Sequence, residues 1–296
     1  MSQPNVPVFF VPQQVAPRAE VSSSPSAAKP KPVVDSWRKL GLPLQLHAFP
    51  PATREQLATA HARAYVDAVL DLEEDNGFYN RSSAVAASLP YTTGSFVAAT
   101  LHVLQHGGAA ASPTSGFHHA SHASGGGFCT FNGLAVAALR ALQEGCRKLA
   151  ILDCDAHFGD GTHDILSRTG HLGKQVLHYT RGSPHYRGGP EGAPAFLAHL
   201  PALLSQWKDE GVELVLYQAG ADPHVDDPVG CRFLTTAQLH ERDRAVFGAC
   251  ARLGLPVAWN LAGGYQEDAG RWPASIRKVL DIHDNTLRAC AEAFVR

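Results

Sequence analysis

Asp153, Asp155 and His157 stand at alternate positions behind an apolar run, Leu149 to Leu152, with Asp160 three residues further on. The run reads as a buried strand. Alternation along an extended chain sends Asp153, Asp155 and His157 to one side. Unneutralised anions beside apolar packing are costly unless a cation or hydrogen-bond donors meet them. The stretch Leu149 to Gly161 therefore predicts a metal. Each residue alone has an ordinary structural reading, the aspartates as helix N-caps and the histidine as a hydrogen-bonded core group. It is the set that argues for chemistry.

Three further groups lie far away in the chain but in comparable places. The apolar run Leu214 to Gln218 leads to Asp222, the run Val257 to Leu261 leads to Gly263, Gly264 and Tyr265, and His118 and His119 sit in a loop of small residues. Asp155, His157 and Asp222 make two carboxylates and one imidazole, the three-ligand pattern of a catalytic zinc with a position left for water or substrate. The remaining acids, Asp153 and Asp160, suit two His-Asp dyads with His118 and His119, in which a carboxylate fixes the tautomer of a proton-shuttling imidazole. Tyr265 is placed to donate its hydroxyl to a developing oxyanion. Gly125 to Gly127 beside Phe128 suggest a narrow channel with apolar walls.

These residues need elements to carry them. Strands are expected at Val6 to Val11, Leu149 to Leu152, Gln175 to Tyr179, Leu214 to Gln218 and Val257 to Leu261. Helices are expected at Thr53 to Leu72, Ser95 to His106, Phe131 to Glu144, near Asp164 to Ser167, Phe196 to Gly211, Thr236 to Leu253 and Pro273 to Ala293. The Pro, Ser and Ala-rich segment Pro17 to Pro32 reads as a surface loop within the domain. Ser82 to Leu139 contains no Lys, Arg, Asp or Glu, and its many Gly, Ser and Pro residues mark it as buried chain near the centre. The alternation implies one α/β domain over residues 1–296, a mostly parallel central sheet flanked by helices on both faces. In such sheets ligands bind beyond the carboxyl ends of the strands, so the separated groups are expected to meet in one crevice.

Composition agrees with an enzyme-sized folded chain: 296 residues, 45% hydrophobic, 18% charged, formal net charge -2. That balance gives no global attraction for nucleic acid or an anionic membrane. Six cysteines without CxxC pairing fit reduced thiols, and Val6 to Val11 is too short for a signal core or a membrane span, so a soluble cytoplasmic protein is expected.

The motifs also carry a resemblance. Ala60-His61-Ala62-Arg63-Ala64-Tyr65, Phe117-His118-His119, Gly127-Phe128-Cys129 with Asn132, Asp153-x-Asp155-x-His157 with Gly159-Asp160-Gly161, Ala219-Gly220-Ala221-Asp222 with Asp227-Pro228, and Gly263-Gly264-Tyr265 occur in the order of the histone deacetylase family. The sequence resembles these zinc-dependent lysine deacylases over almost its whole length, most closely the class IV and bacterial members. The resemblance implies an arginase/deacetylase fold and one catalytic zinc on Asp155, His157 and Asp222. It implies His119 as general base then acid, oriented by Asp160, and His118 paired with Asp153 for electrostatic support. Tyr265 would hydrogen-bond the substrate carbonyl. It also implies a structural potassium on backbone carbonyls around Asp153, Asp155 and His157. The expected substrate is an acyl-lysine protein or peptide, or a small acylated amine; the sequence sets no oligomeric state.

Several departures bear on the substrate. Gly107 to Gly116, taken as a rim loop, lacks the acid with which many protein-directed members grip a peptide backbone. Val229 follows Asp227-Pro228 where polyamine-specific relatives carry a glutamate. Gly127, Phe128, Val229, His185 and Tyr186 are the expected channel residues, the last two in a short loop with Arg181 and Arg187. A di-manganese ureohydrolase is disfavoured because the acid after Asp155-Ala156-His157 comes one place late, at Asp160. A catalytically inactive acyl-lysine binder is disfavoured because every catalytic position is filled.

Overall fold

The described residues form seven strands whose apolar side chains alternate between two opposite layers of helices. The structure is a computed structural model that describes residues 3–17, 24–182, 189–268, 270 and 274–295. In order the elements are β1 Val6–Phe9, α1 Pro30–Trp37, β2 Leu44–His47, α2 Arg54–Leu57, α3 Arg63–Leu70, α4 Ser83–His106, β3 Ala109–Ser112, α5 Gly133–Gln143 and β4 Leu149–Asp153. There follow α6 Asp160–Arg168, β5 Val176–Thr180, α7 Ala193–Asp209, β6 Leu214–Gly220, α8 Thr236–Leu253, β7 Val257–Ala262 and α9 Arg277–Phe294.

All strands pair in parallel, in the order β2-β1-β3-β7-β6-β4-β5. Strands buried on both faces read as continuous apolar runs, and this is why β4 and β6 are so evident in the sequence. Ala150, Leu152, Val215, Tyr217, Val257 and Trp259 pack in the layer with α1, α7, α8 and α9. Leu149, Ile151, Leu214, Leu216 and Ala258 pack on the other face, against α4 and α5. The single-domain α/β expectation is met, with the sheet wholly parallel.

The differences from the sequence reading have local causes. Thr53 to Leu72 is two helices, because Ala62 N–H leaves the helical pattern to bond the His122 carbonyl at 2.7 Å. Helix α4 begins at Ser83, twelve residues before the expected start at Ser95, with Ser82 as its N-cap and Pro90 inside it. Proline usually ends a helix by removing a donor; here the helix runs on through it, and the Pro90 carbonyl accepts from Ala52 N–H. Strands β2 and β3 were not foreseen. Strand β3, Ala-Ala-Ala-Ser, has no β-branched residue to announce it. It occupies the middle of the sheet between β1 and β7, so Gly107 to Gly116 is not a rim loop and its lack of an acid says nothing about peptide recognition. The segment from Ser24 onward is no surface loop either: Ser24 to Pro30 is buried and leads directly into α1.

The larger layer centres on Trp259, fully buried with its ring 5.4 Å from Trp37 and 5.6 Å from Phe247. Truncating an aromatic so placed leaves a cavity as well as lost transfer energy. Trp259→Ala should lower stability by about 3–5 kcal/mol, read as a reduced urea midpoint at unchanged m.

Candidate active site

Strands β4 and β6 are neighbours whose onward connections leave in opposite directions, β4 to β5 on one side and β6 to the far side. A crevice opens at the carboxyl ends of strands at such a switch. Asp155 and His157 follow β4 there, Asp222 follows β6, and Tyr265 follows β7. The donor atoms of Asp155, His157 and Asp222 all lie within 4.8 Å of one another. His157 Nδ1 stands 3.1 Å from Asp155 Oδ1 and 3.0 Å from Asp222 Oδ2. These are the predicted ligands, and the chain brings them together.

The electrostatics of the three describe a place for a cation. Burial and the neighbouring Asp155 push Asp222 upward, the behaviour of two carboxylates that resist ionising side by side. Hydrogen bonds with Asp155 and Asp222 raise the His157 imidazole to about 11. In the protein without metal, the imidazole proton thus supplies the positive charge that the carboxylates demand. The other ring nitrogen, Nε2, lies 3.2 Å from the Val229 carbonyl. A proton held there leaves the Nδ1 lone pair facing the carboxylates, as a metal ligand requires. The donor set, its tautomer and its charge all fit a divalent ion.

Both histidine dyads are formed. His118 Nδ1 is 2.7 Å from Asp153 Oδ2, and His119 Nδ1 is 2.7 Å from Asp160 Oδ1. The two rings stand 4.1 Å apart, and His119 is 5.8 Å from the ring of His157. Burial alone would depress His118, but Asp153 and Asp155 overcome it and raise the imidazole to about 9. These carboxylates favour the charged form of His118. Asp160 opens α6, and despite partial burial the His119 hydrogen bond and the Gly161 N–H hold its carboxyl below the usual range. A carboxylate at a helix N-terminus has the dipole in its favour.

Tyr265 lines the same pocket as His118, His119, Asp155 and His157. Burial together with Asp222 and Asp155 pushes its hydroxyl far upward, so it stays protonated and able to donate. Its backbone N–H donates to Asp227 Oδ2 at 2.8 Å, while Asp227 Oδ1 accepts from Val229 N–H and Gly230 N–H. This buried carboxylate ties the Tyr265 loop to the Val229 loop. Gly263 has φ +51°, and a Cβ there would lie 2.3 Å from Asp222 Cγ, so only glycine lets the β7 loop close over the ligand.

Gly127 and Phe128 line the pocket beside His119 and Tyr265. A Cβ on Gly127 would meet the His119 ring at 2.6 Å. Phe128 adopts φ +63°, strained for a non-glycine residue, and its ring stands 5.7 Å from that of Tyr265. The outer rim is Asn76 to Asn80. Gly77 O accepts from Phe128 N–H at 3.0 Å, and the Tyr79 hydroxyl accepts from Gly127 N–H at 3.0 Å. The exposed acids Glu73, Glu74 and Asp75 immediately precede this rim. Val229 meets the site through its carbonyl, with a side chain 47% exposed. His185 and Tyr186 lie outside the described residues.

Three residues of the site carried no obvious signal. Lys29 is fully buried, its Nζ donating to the Gly263 carbonyl; burial lowers it to about 8 although Asp222, Asp155 and Asp227 pull the other way. Gln218 Nε2 donates to Asp153 Oδ1 at 3.0 Å, completing that carboxylate's partners. Arg242, fully buried in α8 and paired with Asp243, donates through Nη1 to Gly220 O at 2.6 Å and to Cys154 O at 3.4 Å. It thereby clasps the ends of β6 and β4, one and two residues ahead of the ligands Asp155 and Asp222. Polar residues inside apolar strand or helix patterns were the available hint for Gln218 and Arg242; Lys29 had none.

Comparison with known proteins agrees with this geometry. The histone deacetylase domain profile matches residues 25–191, more than half of the chain. The chain belongs to the histone deacetylase family. An uncharacterised protein of the cyanobacterium Picosynechococcus is 35% identical over 201 residues, covering 63% of this chain and 65% of that one. Acetylpolyamine amidohydrolase of Mycoplana ramosa is 32% identical over 50% of this chain and 49% of its own length. Histone deacetylase 15 of Arabidopsis thaliana is 27% identical over 72% of this chain and 44% of its own. The matches thus span between 44% and 65% of these relatives. The crystal structure of the HDA15 HD domain superposes with a TM-score of 0.79 at 19% identity, covering 98% of this chain and 90% of that domain, and establishes the fold as the deacetylase fold.

Because His157 holds a proton until about 11, an incoming divalent ion must displace it. Apparent metal affinity should therefore rise with pH, by at least about tenfold per unit between pH 6 and 8. Isothermal titration in buffers of different ionisation enthalpy should register at least one proton released per ion bound, and more at pH 6 than at pH 8, because Asp222 is also held upward.

Proposed function

We propose that the chain is a zinc-dependent hydrolase that cleaves the amide of an acylated lysine side chain in a protein or peptide. The observation that carries this reading is the convergence of Asp155, His157 and Asp222 beside two His-Asp dyads and a protonated tyrosine. Two carboxylates and one imidazole suit a catalytic zinc, which when bound supplies a Lewis acid for the carbonyl and for water. The protein's own groups account for the remaining steps. His119, oriented by Asp160, takes a proton from water and returns it to the departing amine. His118, favoured in its charged form by Asp153 and Asp155, stabilises negative charge as it develops. Tyr265 donates its hydroxyl to the carbonyl oxygen. Water adds to the carbonyl carbon, the C–N bond breaks, and a carboxylate and a free amine leave.

The pocket beside Asp155 and His157 is walled by Phe117, Phe128 and Tyr265, which suits an apolar acyl group. A structural potassium on the carbonyls around Asp153, Asp155 and His157 is assigned on family likeness; the Asp153 carbonyl already accepts Arg181 N–H at 2.9 Å, which leaves it a second lone pair. No described helix is long and apolar enough to cross a membrane.

A second reading, a deacetylase of small acylated amines, has specific support in the likeness to acetylpolyamine amidohydrolase and in the acids Glu73 to Asp75 beside the rim. Val229 in place of a charged residue weighs against it.

A panel of acetyl to long-chain acyl-lysine peptides and acetylpolyamines, with metal content measured in parallel, decides between the readings. An acyl-lysine peptide should be turned over at least about tenfold faster than any acetylpolyamine. Tyr265→Phe should retain its metal and lose about 10²–10³ in kcat. Absence of hydrolysis across the whole panel, with a chelator changing nothing, would remove the enzyme reading.

A further inference from the structure

Away from the catalytic crevice, helix α4 ends in a second cluster of imidazoles. His102 and His106 lie one turn apart on α4, with ring centroids 4.7 Å from each other. His47, the last residue of the edge strand β2, brings a third ring to 5.6 Å from His102. Phe9 backs the group, stacked on His47 at 5.1 Å and 5.5 Å from His102. The three histidines line one cavity of about 250 Å³ with Gln45 and Asn5, and none of its described lining residues is a carboxylate or a cation of another type.

We propose that His47, His102 and His106 form a second binding site, for a borderline-soft divalent cation such as Zn²⁺, separate from the catalytic centre. Histidines at i and i+4 share one helix face, the spacing by which helices chelate zinc. Imidazole is a favoured ligand of zinc, copper and nickel. His47 Nε2 is buried and has no hydrogen-bond partner. An orphaned buried acceptor or donor of this kind is costly unless something meets it. Burial, and then the proximity of His106 and His47, lower the His102 imidazole, so the ring offers a lone pair at neutral pH. Among the described residues only the catalytic set already has all its donor atoms within 4.8 Å. Capture at the histidine cluster accordingly turns the exposed His106 ring toward its partners, with water or Gln45 filling the remaining coordination.

The test uses the whole protein with zinc. After saturation with Zn²⁺ and desalting, plasma mass spectrometry should find two ions per chain in the unmodified protein and one in His102→Gln/His106→Gln, whose deacetylase activity should be unchanged. In Asp155→Ala the histidine-dependent ion should remain, which keeps this result independent of the catalytic assignment. Competition with a chromogenic chelator should show the second equivalent at least about tenfold weaker in His47→Gln than in the unmodified protein. One ion per chain in the unmodified protein, or two in the double variant, would overturn the site.

Discussion

Negative charge buried at the carboxyl ends of the strands is the constraint on which the rest of the molecule depends. Asp153, Asp155, Asp222 and Asp227 are all at most 2% exposed, and they lie around one crevice. Anions in that setting must be matched by cations or donors. The fold supplies them individually: His118 for Asp153, the protonated His157 or a metal for Asp155 and Asp222, backbone N–H groups for Asp227, and Lys29 close by. The catalytic groups are thus also the groups that make the crevice tolerable.

That double duty separates otherwise similar residues. His118 and His119 are adjacent in sequence, yet the first faces two buried carboxylates that favour its charged form, while the second faces only the half-exposed Asp160 and keeps an outward side. Adjacent imidazoles with different surroundings can divide electrostatic support from proton transfer. Tyr265 follows the same rule in reverse, since the anions that raise His118 also keep its hydroxyl protonated.

How much of this could be read in the sequence varied with the physical origin of each feature. The cluster of Asp155, His157 and Asp222 was legible because β4 and β6 are buried on both faces and read as apolar runs, which makes the acids that follow them conspicuous. The dyads were legible once four acids and two histidines had to share one site. Lys29 was hidden because a Pro, Ser and Ala-rich composition suggests solvent, whereas tertiary packing beneath Gly263 decided otherwise. Strand β3 was hidden because an alanine run has no preference strong enough to announce a central strand. The start of α4 was hidden by Pro90, a residue that usually ends a helix. The rim was misplaced for the same reason as β3: the segment beside the Gly127 and Phe128 loop is Asn76 to Asn80, a short irregular stretch that only the folded chain brings against it.

The clasp made by Arg242 has a consequence for the lifetime of the metal complex. Its guanidinium joins the backbone ahead of Asp155 to the backbone ahead of Asp222. The spacing of the two carboxylates is thereby tied to the packing of α8, so a substitution inside that helix would loosen a bound ion without touching it, by letting the two turns open locally.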